Sequence, residues 1–181
     1  MFSRKNDHVP AHIAALYAHL VEQARQPFIY EYWGVVDSVE GRFESISLHV
    51  ALVIRQLKFL EAHDTAQQLF EWMFKDFDQG LREVGIGDMG IGKHIKRMAR
   101  HFYGRMANYG AHLENQSTSS SNLREALKKN LLADIDSPYI QDIEAYVYDF
   151  AKTLSDLSVN DILSRSWQWP VVRNYGLLAA S

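Results

Sequence analysis

The chain has 181 residues and a formal net charge of -3, with 47% of its residues hydrophobic and 23% charged. Those totals suit one folded domain and argue against a dedicated nucleic-acid binder, which needs a marked basic excess to neutralise phosphates; specific DNA recognition is not expected. Cysteine is absent, which excludes disulfides, thiol catalysis and thiolate metal ligation.

In chain order, residues 1–9 read as a flexible N-terminus, and Pro10 opens a helix that runs to about residue 26. Its apolar stripe is Ile13, Leu16, Tyr17, Leu20, Val21 and Ala24. Pro27 breaks it, and 28–36 form a short aromatic segment, helical or extended. Asp37 and Ser38 supply capping side chains ahead of Gly41. A long amphipathic helix is expected over 42–62, with Phe43, Ile46, Val50, Val53, Ile54, Leu57 and Leu60 inward. Asp64 or Thr65 caps the next helix, in which Ala66, Leu69, Phe70, Met73, Phe74, Phe77 and Leu81 recur at helical spacing. Gly85, Gly87, Gly90 and Gly92 then remove the helix bias and predict a tight corner. The period resumes through Ile91, Ile95, Met98, Phe102, Met106 and Tyr109.

Residues 114–122, ENQSTSSSN, make a polar loop. Asn122 caps a short helix to about residue 132. Ser137 and Pro138 open another helix, with Ile140, Ile143, Val147, Phe150, Leu154 and Leu157 on one stripe. A last turn over 158–164 precedes an irregular aromatic tail, 166–181. No stretch alternates with period 2 between hairpin turns, so the expected fold is all-α: a single-domain helical bundle over 1–181 with a glycine-rich helix–loop–helix corner. No apolar run approaches the roughly 20 residues that span a bilayer. The opening MFSRKNDHVP lacks the apolar segment of a secretory signal. The expected location is the cytoplasm, including the surface of the inner membrane.

Two nucleotide motifs nearly match at the glycines. Gly85-Ile86-Gly87-Asp88-Met89-Gly90 fits GxGxxG, but that motif turns the chain from a strand into a helix, and here a helical pattern precedes it. Residues 87–93 fit GxxxxGK, but His94 stands where a Ser or Thr would ligate magnesium. The histidines form no HExxH and no paired ExxH, so no metal ligands are assigned. His49 lies near the apolar edge of the long helix, where a core histidine with one hydrogen-bonded nitrogen is the plain reading. A ligand-binding or enzymatic bundle, with His49 and acids such as Asp37, Glu44 or Asp88 around a polar pocket, is the alternative.

The helix after the glycines is more informative. At about 100° per residue, Lys93, Lys96, Arg97 and Arg100 share the side opposite Ile91, Ile95, Met98, Phe102 and Met106. A solvated face or a landing surface for something anionic (a ribosome, a phospholipid headgroup, an acidic protein segment) both fit that stripe. Arg105 falls on the apolar side and requires a partner there, with Asp76, Glu83 and Glu44 as candidates. Asp78 and Arg82 are spaced to pair along their own helix.

Residues 23–49, QARQPFIYEYWGVVDSVEGRFESISLH, and 74–109, FKDFDQGLREVGIGDMGIGKHIKRMARHFYGRMANY, resemble the ubiquinol–cytochrome c chaperone family. The resemblance is carried in order by Gly34-Val35, Asp37-Ser38, Gly41-Arg42-Phe43, Leu48-His49, Asp76, Asp78, Leu81-Arg82-Glu83, Gly85, Gly87-Asp88, Gly92-Lys93 and Phe102-Tyr103-Gly104-Arg105. It covers roughly the first 110 residues. It implies an all-α assembly factor for the respiratory ubiquinol–cytochrome c reductase, without a cofactor and without catalysis. Eukaryotic members are mitochondrial and handle newly made cytochrome b; the short N-terminus here resembles a bacterial member. The implied partners are a nascent or newly inserted cytochrome b-type subunit and a second assembly factor. Lys93, Lys96, Arg97 and Arg100, with Tyr32 and Trp33 as exposed aromatic contacts, are the expected partner-binding residues. The other motif residues, Asp37 through Arg105, are expected to be structural.

Overall fold

A computed structural model describes residues 10–83, 85, 88–114 and 120–172, with the backbone alone at 88, 89, 114 and 120–122. Among these residues the secondary structure is helical throughout. The elements are α1 (Ala11–Ala24), a π-helical turn (Phe28–Tyr32), α2 (Val39–Phe59), α3 (His63–Glu83), α4 (Asp88–Glu114), α5 (Ser120–Asn130), α6 (Ile140–Ser155) and α7 (Val159–Ser164). The all-α expectation holds.

The bundle is built around α2, which packs against α1, α3, α4 and α6. From Ser45 to Ile54 every residue of α2 is buried, as befits a helix whose sequence, SISLHVALVI, is apolar or small on all sides. The start of this helix explains its fixed position. Ser38 is extended and its Oγ accepts from the Gly41 N–H at 3.1 Å, an N-cap bond. The preceding loop folds over the first turn so closely that a Cβ on Gly41 would lie 1.9 Å from the Val36 carbonyl oxygen. Asp37 and Arg42 then clasp across the same turn at 2.7 and 3.2 Å.

Several boundaries differ from the sequence expectation, each for a local reason. α2 begins at Val39, ahead of residue 42, because Ser38 caps it and Gly41 fills its first turn. α3 begins at His63, with the Ala62 carbonyl accepting from the Ala66 N–H at 3.0 Å, so Asp64 lies inside the first turn and is not the cap. Gly90 and Gly92 are helical residues of α4, and Gly85, between α3 and α4, has a φ of 83° that favours a glycine. α5 starts at Ser120, so Asn122 is within it and not its cap. Ser158 and Asp161 form a reciprocal capping box at α7.

The N-terminus 1–9, residues 115–119 of the polar loop, residue 87 and the tail beyond 172 lie outside the described residues. Residues 166–172 are non-helical.

Candidate functional site

α4 presents two contrasting sides. Ile91, Met98, Phe102, Tyr109 and Leu113 are buried, while Lys93, Lys96, Arg97 and Arg100 are exposed on the opposite side. Among the described residues none of these four cations meets a carboxylate; Arg97 is 2.9 Å from the His94 Nδ1 on its own helix. Arg105 points inward and forms a bidentate pair with Glu44 of α2, its Nη2 at 2.6 Å from one carboxylate oxygen and its Nε on the other. The other two candidates are engaged elsewhere: Asp76 accepts from the Tyr17 hydroxyl at 2.8 Å and Glu83 from the Gln79 amide at 3.1 Å. Burial pushes the Glu44 carboxyl up, and Arg105 opposes that shift.

Beside the stripe, α2, α3 and α4 enclose a groove of about 490 Å³. Val39, Phe43, Leu81 and Met98 supply its apolar wall, and His94, Arg97 and His101 its basic rim, with Glu40 and Glu44 opposite. Val39, Leu81 and Met98 also line a neighbouring groove of about 450 Å³, so the two adjoin. The His101 imidazole titrates below its ordinary range because burial, then Arg105, Arg97 and Arg100, disfavour its charged form.

Two expected contact residues are not at the surface. Trp33 is fully buried, its ring 4.8 Å from Phe28 and 5.0 Å from Tyr146. Tyr32 is buried, stacks on Tyr139 at 3.8 Å and donates its hydroxyl to Asp142 at 2.7 Å. The π-helical turn, closed by the Trp33 N–H on the Phe28 carbonyl at 2.8 Å, turns both rings inward. They join α6 to the N-terminal half and are unavailable to a partner.

His49 is a core residue. It is fully buried, with Tyr146, Phe150 and Trp169 around its ring. Its Nδ1 is 2.8 Å from the Ser45 carbonyl, which only accepts, so Nδ1 carries the proton and Nε2 accepts from the Tyr146 hydroxyl at 3.0 Å. Gln23 in turn donates to that hydroxyl at 3.0 Å. Burial lowers the His49 pKa to about 4. The acids proposed for a pocket around it are dispersed: Asp37 with Arg42, Glu44 with Arg105, and the Asp88 side chain outside the described residues.

The remaining motif residues fall in several environments. Arg82 donates to Asp78 along α3 at 2.7 Å. Phe43 meets Phe77 at 5.2 Å, and Tyr103 stacks on Phe70 at 5.1 Å while staying about half exposed. Gly92 is exposed within α4, and Gly87 is outside the described residues.

One surface residue escaped the stripe analysis. Phe59 is 77% exposed at the end of α2. At about 100° per residue it shares the sector of the buried Leu48 and Leu52, so nothing in the helical period distinguishes it from a core position.

The sequence profile of the Ubiquinol-cytochrome C chaperone family matches residues 31–169. The crystal structure of the Cbp3 homolog from Brucella abortus is similar with a TM-score of 0.77 and 34% sequence identity, over 91% of this chain and 91% of that one. No curated protein sequence matches the chain. The profile extends through α6 and α7 to Trp169, well past the residues that first carried the resemblance.

Proposed function

The chain belongs to the ubiquinol–cytochrome c chaperone family, and from that membership we propose that it is a non-enzymatic assembly factor for the respiratory ubiquinol–cytochrome c reductase. In this reading it holds a newly made cytochrome b-type subunit until the complex is built. The observation that carries the docking mode is the groove between α2, α3 and α4. It offers the exposed Val39, over a floor of the largely buried Phe43, Leu81 and Met98, to an apolar segment and Arg97, His94 and His101 to polar flanks. A membrane subunit not yet packed presents that combination, because its apolar helices end in polar connections. The packing of His49, Asp37 and Glu44 into core or ion-pair contacts favours this reading over a polar ligand pocket.

Deletion of the gene should remove the reductase's b- and c-type haem absorbance from membranes, and the wild-type gene should restore it. Val39→Asp should not restore it: Val39 is 52% exposed and opens α2, where an acid suits the helix dipole, so the variant folds but its groove is no longer apolar. Normal haem absorbance in the deletion strain would overturn the assembly role. Full restoration by Val39→Asp would move the client to another surface.

A further inference from the structure

We propose that the solvent side of α4 and the end of α2 form a docking surface for a bilayer containing anionic phospholipid, with Phe59 entering the interface and Lys96 and Arg100 on headgroup phosphates. This does not depend on the identity of the client.

The first observation is electrostatic. Residues 89–113 contain no Asp or Glu, and α4 exposes Lys93, Lys96, Arg97 and Arg100 without a carboxylate partner among the described residues. Several cations on other helices, Arg42, Arg82, Arg124 and Lys128, each hold a carboxylate. An unneutralised run of four cations on one helix side complements an anionic plane. The second observation is apolar. Phe59 stands 77% exposed and borders a shallow groove with Ala107, Gly110 and Ala111 of α4. By the helical wheel, Ala107 and Ala111 continue the sector of Lys96 and Arg100, and the strip from 96 to 111 is about 22 Å long at 1.5 Å per residue. Beside its exposed small residues Gly104, Ala107 and Ala111, Phe59 at 77% exposure is the most exposed large apolar group, with Tyr103 at 48% in the sector of Lys96.

An acidic peptide or a base-paired RNA held on the stripe would use the cations and leave Phe59 in water, since only an unpaired base stacks on an aromatic ring. A bilayer uses both, since an interfacial surface combines headgroup-facing cations with a partly inserted aromatic. The carboxylates bordering this surface are engaged or set to one side: Glu61 is 2.8 Å from the His63 Nε2, Glu44 is paired with Arg105, and Glu40 lines the groove beside Arg97.

The test is sedimentation of the full chain with vesicles of phosphatidylcholine and phosphatidylglycerol, against phosphatidylcholine alone. Binding is expected to the anionic vesicles only and to weaken with salt. The double variant Lys96→Glu, Arg100→Glu should bind at least about tenfold less, because each cation near an anionic surface contributes on the order of fivefold. Phe59→Ser should bind about fivefold less at unchanged charge. All three positions are exposed, so circular dichroism and thermal melting should match the wild type. Because the chain has no cysteine, Phe59→Cys carries a polarity-sensitive dye at one site, and its emission should shift blue on anionic vesicles. Absence of binding, equal binding to neutral vesicles, binding undiminished by charge reversal, or a dye that stays in water would each overturn the proposal. A charge-reversed variant that still binds vesicles but no longer restores the reductase would assign the stripe to a protein or RNA partner instead. Failure here leaves the assembly role standing, since haem absorbance in the deletion strain reads that independently.

Discussion

Arg105 shows what a single side chain contributes and how much of it the chain reveals. Its helical phase places it inward and so demands a carboxylate or a backbone carbonyl, and it finds both, Glu44 and the His101 carbonyl at 3.3 Å, but phase alone leaves three acids in contention. The choice is made by tertiary placement: Tyr17 takes Asp76, Gln79 takes Glu83, and Glu44 of α2 faces α4. With side chains only 17% and 13% exposed, the Arg105–Glu44 pair is largely desolvated. Removing one member strands the other charge, so Arg105→Ala should cost about 3 kcal/mol in urea denaturation. Replacing both, Arg105→Met with Glu44→Leu, should recover most of that loss, because two apolar side chains avoid the desolvation cost. A loss below about 1 kcal/mol for Arg105→Ala would mean the pair behaves like an exposed one. Tyr32 and Trp33 teach the reverse lesson. Nothing in a short aromatic run distinguishes a contact surface from core, and only the π-helical turn decides which way the rings face.

At the scale of elements, the apolar period located every helix to within a few residues, while glycine was the main source of error. The run from Gly85 to Gly92 looked like a loop, yet α4 absorbs Gly90 and Gly92, since packing of Ile91 and the residues after it outweighs a weak local preference. Gly41 looked like a boundary and is instead part of the first turn of α2. It is required there by contact, not by backbone angle, because the Val36 carbonyl occupies the space a Cβ needs. Gly41→Ala should therefore destabilise by at least about 2 kcal/mol, in the range of an overpacked core site. Gly104 provides the opposite case within α4: nothing lies within 4 Å of its Cβ position. Gly104→Ala should stabilise by about 0.5–1 kcal/mol through helix propensity. Thermal melting of the two variants checks the argument, and a Gly41→Ala protein as stable as wild type would refute the close approach. The same comparison explains why α2, and not the glycine-rich stretch, is the centre of the bundle: from Ser45 to Ile54 it has no exposed face.

Across the whole molecule, a continuous seam ties α1, α6 and the segment around Trp167 and Trp169 to α2. Gln23 of α1, Tyr146 of α6 and His49 of α2 form one hydrogen-bonded chain, and Phe150, Trp167 and Trp169 close over it. His19 of α1 lies 5.1 and 5.0 Å from the two tryptophan rings. The tail was legible only as aromatic and irregular, because a segment without periodicity gives no sign of what it covers. Its role shows in the titration of the two histidines it helps to bury. Burial lowers the pKa of His19, and that of His49 to about 4, from an ordinary value of 6.5. Between those pH values the unfolded chain binds protons that the folded one refuses, so stability is complete above about pH 6.5 and falls as pH drops toward 4. For His49 alone the loss is about 3 kcal/mol, taking about 1.36 kcal/mol per pH unit. Trp169→Ala opens the seam to water, so the His49 pKa should rise toward its ordinary value and this part of the acid slope should flatten. Urea denaturation from pH 7 to pH 4, with NMR titration of the His49 imidazole in both proteins, measures the two effects together. An imidazole that titrates near 6.5 in the wild type would show that water already reaches the seam. An unchanged titration in Trp169→Ala would show that α1, α2 and α6 bury His49 without the tail, and the C-terminal segment would then be an appendage to the bundle and not its closure.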